Sequence, residues 1–403
     1  MRTLKRFYMF AAICSLGALG LAQAADWPQY HGPNRDRISS ETGWIDAWEG
    51  AGPEIAWRAR IGPGYTSISI VDGKAYVAGY DKEKGEDNIF CFDAKTGKEI
   101  WKHAYKCELI DNLHEGGPAA TPTVYKGKVY TISKEGHFYC LDANTGKVVF
   151  AKDLKQELGV KTPTWGFAGA PLIVDDVIYI DVGVIAAYKL DGSATIWKTK
   201  NYGEAYASPV LFPFEGKTYL AAFPKLGMVI VDLKDGKEFS TYAWDTNYGI
   251  NAATPIVDGN KVFIGSGYGM GGAMVEIQKD GAAKELWKSK DMRTQMNAAV
   301  LYKGYLYGFD ESQLKCLDAK TGELKWKESG FDKGSLMIAD GKLVILGGKG
   351  ELAIADASPD SLNPTGRKQI LGGTCWSCPV LSNGMLYARN ARGDMIVLDM
   401  SAS

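Results

Sequence analysis

One seven-residue phrase constrains this chain more than anything else in it. Cys91-Phe-Asp-Ala-Lys-Thr-Gly97 leads to Trp101, Cys140-Leu-Asp-Ala-Asn-Thr-Gly146 to Phe150, and Cys316-Leu-Asp-Ala-Lys-Thr-Gly322 to Trp326. Weaker copies surround Asp191-Gly192 with Trp197, Asp232 to Gly236, Lys279-Asp280-Gly281 with Trp287, and Asp356 to Gly366 with Ile370; Asp399 ends the series. A second series of tight-turn residues falls at Gly73, Gly127, Asp176, Gly216, Gly259, Gly304, Gly341 and Gly384. Each series counts to eight, at a spacing of about 44 residues, and a period of that size marks a repeat architecture.

Four short strands per repeat of about 40–45 residues describe a β-propeller blade. Gly supplies positive φ in tight turns, and Asp and Asn stabilise them through their own side chains. Runs such as Val129-Tyr-Thr-Ile132 and Leu343-Val-Ile-Leu346 suit burial between neighbouring blades. A stacked solenoid is the competing reading, but it needs capped ends. Here only four residues follow Asp399, too few for the outer strand of an eighth blade, whereas Glu54–Ile61 has a strand pattern and no blade of its own. Trp57 stands where Trp101 and Trp326 stand in their repeats. The fold class expected is therefore all-β: an eight-bladed propeller of four-stranded blades over residues 54–403, its ring closed by the N-terminal strand completing the last blade and so removing exposed sheet edges. The recurring Trp101, Trp287 and Trp326 are expected to dock between blades rather than to touch a ligand.

Residues 1–24 read as a signal peptide: Arg2, Lys5 and Arg6, an apolar run from Phe7 to Leu21, then Ala22-Gln23-Ala24. Cleavage after Ala24 and a periplasmic or secreted location are expected. Residues 25–53 lack strand periodicity but carry Trp27, Trp44 and Trp48, which suits an ordered, extended segment packed on the propeller rather than a linker. With Lys+Arg 46 against Asp+Glu 47, evenly mixed, the chain has no basic stripe for nucleic acid. No later stretch has the length of a transmembrane span.

The phrase Asp-Ala-x-Thr-Gly-Lys-x-x-Trp, as in Asp93 to Trp101, resembles the tryptophan-docking repeat of pyrroloquinoline quinone (PQQ) dehydrogenases. From Asp26-Trp-Pro-Gln-Tyr-His-Gly-Pro-Asn-Arg35 through Trp165-Gly-Phe-Ala-Gly169, Phe263–Tyr268 and Gly304–Asp310 to Cys375-Trp376 and Tyr387–Asn390, the chain resembles PQQ-like propeller proteins, the BamB-like family of bacterial secreted proteins. The resemblance implies two functions: a non-catalytic scaffold that binds a protein or cell-envelope polymer, as a monomer or within a complex, or a PQQ-dependent alcohol or sugar dehydrogenase. The larger PQQ alcohol dehydrogenases stack the quinone on a disulfide between adjacent cysteines and use Ca²⁺. This chain has no adjacent Cys pair and no C-x-x-C-H haem motif. The scaffold is expected, with no cofactor; PQQ with Ca²⁺ belongs to the alternative alone.

No catalytic motif stands out. His31, His103, His114 and His137 are scattered, without the spacing of a metal motif, so no metal ligand is expected. The Gly265–Gly272 stretch reads as a turn within the fifth blade, since no Lys-Ser/Thr pair follows it. Cys91, Cys140 and Cys316 occupy one position in separate blades and are expected to be small buried thiols. Cys375-Trp-Ser-Cys378 has the C-x-x-C spacing of redox pairs but enters a strand instead of a helix. It is left open between packed free thiols, a structural disulfide (Cys107 being another partner) and redox chemistry. Propellers place ligands over the channel where the first strands begin. Trp165, Tyr206, Asn251, Asn297 and Trp376 lie near those starts and are the candidate channel residues.

Overall fold

The computed structural model describes residues 26–402. The signal peptide expected at residues 1–24 lies outside the described residues. Eight four-stranded antiparallel sheets form the ring, and the described chain contains one short helix, Leu154–Leu158. Blade 1 is Ser69–Val71, Lys74–Asp81, Glu86–Asp93 and Glu99–Lys106, ordered from channel to rim. Blades 2 to 7 follow over 123–153, 172–201, 210–243, 256–289, 300–328 and 335–369. Blade 8 joins the two ends of the chain: Val380–Ser382, Met385–Arg389 and Asp394–Asp399 take Glu54–Arg60 as their outer strand, with Glu54 opposite Asp399 and Arg60 opposite Asp394. The N-terminal strand closes the ring.

The repeated phrase works as a joint between blades. In its turn the Asp93 carboxylate accepts the Thr96 backbone N–H at 2.8 Å and the Thr96 hydroxyl at 2.7 Å. These bonds hold its pKa below the ordinary carboxylate range. A bulge then shifts the pairing, so that Phe92 faces Glu99 while Cys91 faces Trp101. The extra residue, Ile100, stands in solvent, and the indole turns inward onto the next blade. There Trp101 Nε1 donates to Ala143 O at 3.0 Å, its ring lying under Gly146. Trp57 docks in the same way on Ala94 and Gly97, Trp197 on Leu233 and Gly236, and Trp287 on Ala319 and Gly322. Cysteine faces the bulky ring in three blades because it is small and apolar: Cys91 opposite Trp101, Cys140 opposite Phe150, Cys316 opposite Trp326. All three are fully buried free thiols.

Gly146 carries two requirements at once. Its φ is +68°, and a Cβ there would stand 2.6 Å from the Trp101 ring. Gly146→Ala is therefore expected to cost about 2 kcal/mol or more, the left-handed conformation alone accounting for about 1–2. A lower urea midpoint at unchanged slope is the readout.

Residues 26–39 run along the axis of the ring rather than over its surface. Trp27 pairs with Ile70 of blade 1 through N–H···O bonds of 2.8 and 2.9 Å, and Pro28 O accepts Val124 N of blade 2. Arg35 donates to Pro171 O and Pro209 O, just before the inner strands of blades 3 and 4. Arg37 reaches Ala298 O beside blade 6, Ile38–Ser39 pairs in parallel with Ile338–Ala339 of blade 7, and Ser39 Oγ donates to Leu381 O of blade 8. A segment that touches seven blades within thirteen residues fills the channel. Arg35 also donates to Gln29 Oε1 and Arg37 to Tyr30 Oη, Arg37 Nε is left without a partner among the described residues, and burial pulls Arg35 down to about 9. The chain then leaves the axis: Trp44 bridges to Ser401, and Trp48 packs on Gly366 of blade 7 before the closing strand.

Candidate functional site

Above this plug the channel mouth opens into a cavity of about 590 Å³. Its wall comes from one position of the repeat. Tyr65, Ala119, Ala168, Tyr206, Ala252, Met296 and Trp376 each stand four residues before an innermost strand, and all of them line it. Tyr30 of the axial segment also faces the cavity. The small residues make room, and the aromatic ones give flat surfaces. Tyr65 and Trp376 stack at a centroid distance of 5.6 Å across the joint between blades 8 and 1. Trp165 meets Tyr206 edge-on at 6.3 Å, and Tyr248 meets Tyr268 at 5.0 Å. Tyr268 lies in the Gly-rich stretch, which turns between Lys261–Ser266 and Gly271–Ile277 of blade 5.

The tyrosine hydroxyls are tied back to acids: Tyr65 donates to Glu115, which also takes the Thr374 hydroxyl at 3.1 Å, and Tyr206 donates to Glu204 at 3.2 Å. Those acids serve the tyrosines from behind, and no carboxylate lines the cavity among the described residues. Its charged groups are Lys134 and Lys333. Lys134 Nζ donates to Ile110 O at 3.2 Å and lies 6.0 Å over the Tyr65 ring; burial lowers it to about 8. Lys333 pairs with Glu311 at 3.2 Å. Burial, assisted by Lys134, holds His114 down to about 4, so its imidazole is neutral at pH 7. Among the described residues the site is a mostly apolar, aromatic cup with two cations.

Of the residues singled out by sequence, Trp165, Tyr206, Asn297 and Trp376 line this cavity. Asn297 is also structural: its amide donates to Gly334 O at 3.1 Å and Trp376 O at 2.8 Å. Asn251 lies elsewhere. One residue farther from its strand than the lining position, it turns into the blade, donating to Pro224 O at 2.9 Å and accepting the Ser266 hydroxyl at 2.7 Å. Cys375 and Cys378 are both buried free thiols. Burial pushes Cys375 up to about 12, opposite to the shift that makes a thiol reactive, and Cys378 Sγ donates to Leu336 O at 3.5 Å. Tyr65, Lys134, Tyr248 and Lys333 also line the cavity and belong to no sequence motif. The four-residue offset before each innermost strand was the signal that finds Tyr65. A second cavity, of about 380 Å³, holds Asp310, but Arg293 at 2.6 Å and Lys315 at 2.5 Å already occupy that acid.

Comparison with solved structures shows the fold. The quinohemoprotein alcohol dehydrogenase from Comamonas testosteroni is similar with a TM-score of 0.66 at 13% identity, over 95% of this chain and 82% of that one. The quinohemoprotein alcohol dehydrogenase ADHIIG from Pseudomonas putida HK5 gives 0.66 at 13%, over 94% and 81%. The computationally designed Ika8 protein gives 0.64 at 12%, over 86% and 100%. At such identities the likeness is one of architecture. No curated protein matches the sequence. The family profile described as outer membrane protein assembly factor BamB matches residues 85–328, more than half of the chain. That span holds the tryptophan joints at Trp101, Trp197 and Trp287, and the chain belongs to the BamB family.

Proposed function

We propose that this protein is an exported, non-catalytic propeller that holds another cell-envelope protein at the aromatic mouth of its channel. The observation that carries the reading is the lip of the cavity. Leu113 is 90% exposed and Tyr248 64% exposed, and both border a cup walled by Tyr65, Tyr206 and Trp376. Exposed apolar groups around an apolar cup favour a partner that covers them. Rigid aromatic rings give large contact area at little conformational cost. The family description, an assembly factor for outer membrane proteins, supports a protein as that partner. No helix among the described residues is long and apolar enough to cross a membrane.

Stacked Tyr65 and Trp376 with two lysines suit a planar polyanion, but Ca²⁺ favours carboxylate oxygens, and among the described residues the lining offers none. The PQQ–Ca²⁺ pair does not fit these residues.

A photo-crosslinking residue placed at Leu113 or Tyr248 in the exporting cell is expected to give a discrete protein adduct, removed by Trp376→Ala at unchanged melting temperature. A polydisperse polymer adduct, or none, would overturn the protein-partner reading. Dye reduction with PQQ, Ca²⁺ and primary alcohols is expected to be at background; turnover that disappears in Trp376→Ala moves the function to the oxidoreductase.

A further inference from the structure

The joint between blades 1 and 2 brings together three residues with metal-binding side chains. Cys107 follows the outer strand of blade 1. Glu135 sits in the hairpin between the second and third strands of blade 2, and His137 opens that third strand. One ligand-type atom from each lies within 4.8 Å of the others. We propose that Cys107, Glu135 and His137 bind a divalent transition ion of the Zn²⁺ class. A thiolate, an imidazole and a carboxylate form a mixed donor set that suits Zn²⁺ or Co²⁺ better than the all-oxygen preference of Ca²⁺ or Mg²⁺.

The surroundings support an ion rather than ordinary packing. Cys107 is 6% exposed, and beside it lies the 1%-exposed carboxylate of Asp87, which receives the Tyr105 hydroxyl at 3.4 Å and the Cys107 thiol. The thiol is thus a neutral donor to a buried carboxylate, and a metal ion would take the place of its proton. The ligands are also held in place. Glu135 Oε2 accepts the Glu108 backbone N–H at 2.8 Å across the joint, and Ser133 Oγ stands 3.2 Å from His137 Nδ1, orienting the ring. Around a tetrahedral ion, ligand atoms at about 2.0–2.3 Å from the metal lie roughly 3.5 Å apart, so binding needs only about 1 Å of contraction. Metal binding would release the Cys107 proton and leave a fourth position for water or Asp87. Half-buried Lys155 pairs with Glu135 at 3.9 Å and would give up that contact to the ion.

Tag-free protein, stripped with chelator, would be titrated with Co²⁺ and then Zn²⁺. One equivalent of Co²⁺ should bind with a near-ultraviolet thiolate-to-metal band, Zn²⁺ should displace it, and either ion should raise the melting temperature. Cys107→Ser should abolish the band, and His137→Gln should weaken binding at least about 10–100-fold. His137 begins a strand at a half-buried site, so His137→Gln retains metal-free melting and decides the matter even if Cys107→Ser misfolds. Absence of the band in the native protein overturns the site. So does a band that survives Cys107→Ser, or undiminished affinity in His137→Gln.

Discussion

Deleting residues 54–60 should turn the protein into one that self-associates. Without that strand the outer edge of Asp394–Asp399 loses its partners from Glu54 opposite Asp399 to Arg60 opposite Asp394, and a row of unpaired N–H and C=O groups faces solvent. The loss extends beyond one blade. Trp57 leaves Ala94 O, which it meets at 3.0 Å, and uncovers Gly97 of blade 1. Trp57→Ala alone should cost about 3–5 kcal/mol, as buried Trp truncations do. The deletion should cost more and add concentration-dependent aggregation in sedimentation. A monomeric deletion variant with native melting would contradict closure of the ring by this strand.

Asp181→Asn should stabilise the protein, with a gain that depends on pH. Asp181 ends the second strand of blade 3 and is 3% exposed; Oδ1 accepts Gly183 N at 2.9 Å, while Oδ2 has no partner. Burial raises its pKa from 3.8 to about 7. Since the folded-state pKa is raised, the fold favours the neutral acid. The penalty for ionising it is absent below about pH 4, grows between about 4 and 7, and is complete above 7. A shift of about three units corresponds to about 4 kcal/mol. Asparagine keeps the shape but leaves its own amide unpaired, so the net gain at pH 8 should be about 2–4 kcal/mol, falling towards zero at pH 4. Urea unfolding of both forms at the two pH values checks this. Equal gains at both would place the cause outside the ionisation of Asp181.

The ring was legible because each blade solves the same problem with the same residues. Asp93, Asp142 and Asp318 make identical turns with Thr96, Thr145 and Thr321, so one reading serves three blades. Closure was legible because Trp57 had the aromatic of a blade and lacked the rest of one. The axial course of residues 26–39 was not. Its bonds run from Arg35 and Arg37 to carbonyls of Pro171, Pro209 and Ala298, and a carbonyl leaves no mark on composition or spacing. The lining of the cavity was legible in part. Nearness to a strand start brought in Trp165, Tyr206, Asn297 and Trp376, but a one-residue difference in register turns Asn251 into the blade. The Cys107–Glu135–His137 cluster was invisible because its members lie on two blades and in three different local contexts.

The axial segment also decides by what route anything can visit the cavity. A propeller with an open bore is a pipe, through which a strand or a polymer can be threaded from one face to the other. With residues 26–39 seated across seven blades and Tyr30 facing upward, this one is a cup. A visitor must present an end or the tip of a loop, and it must leave by the way it came. Release therefore retraces entry.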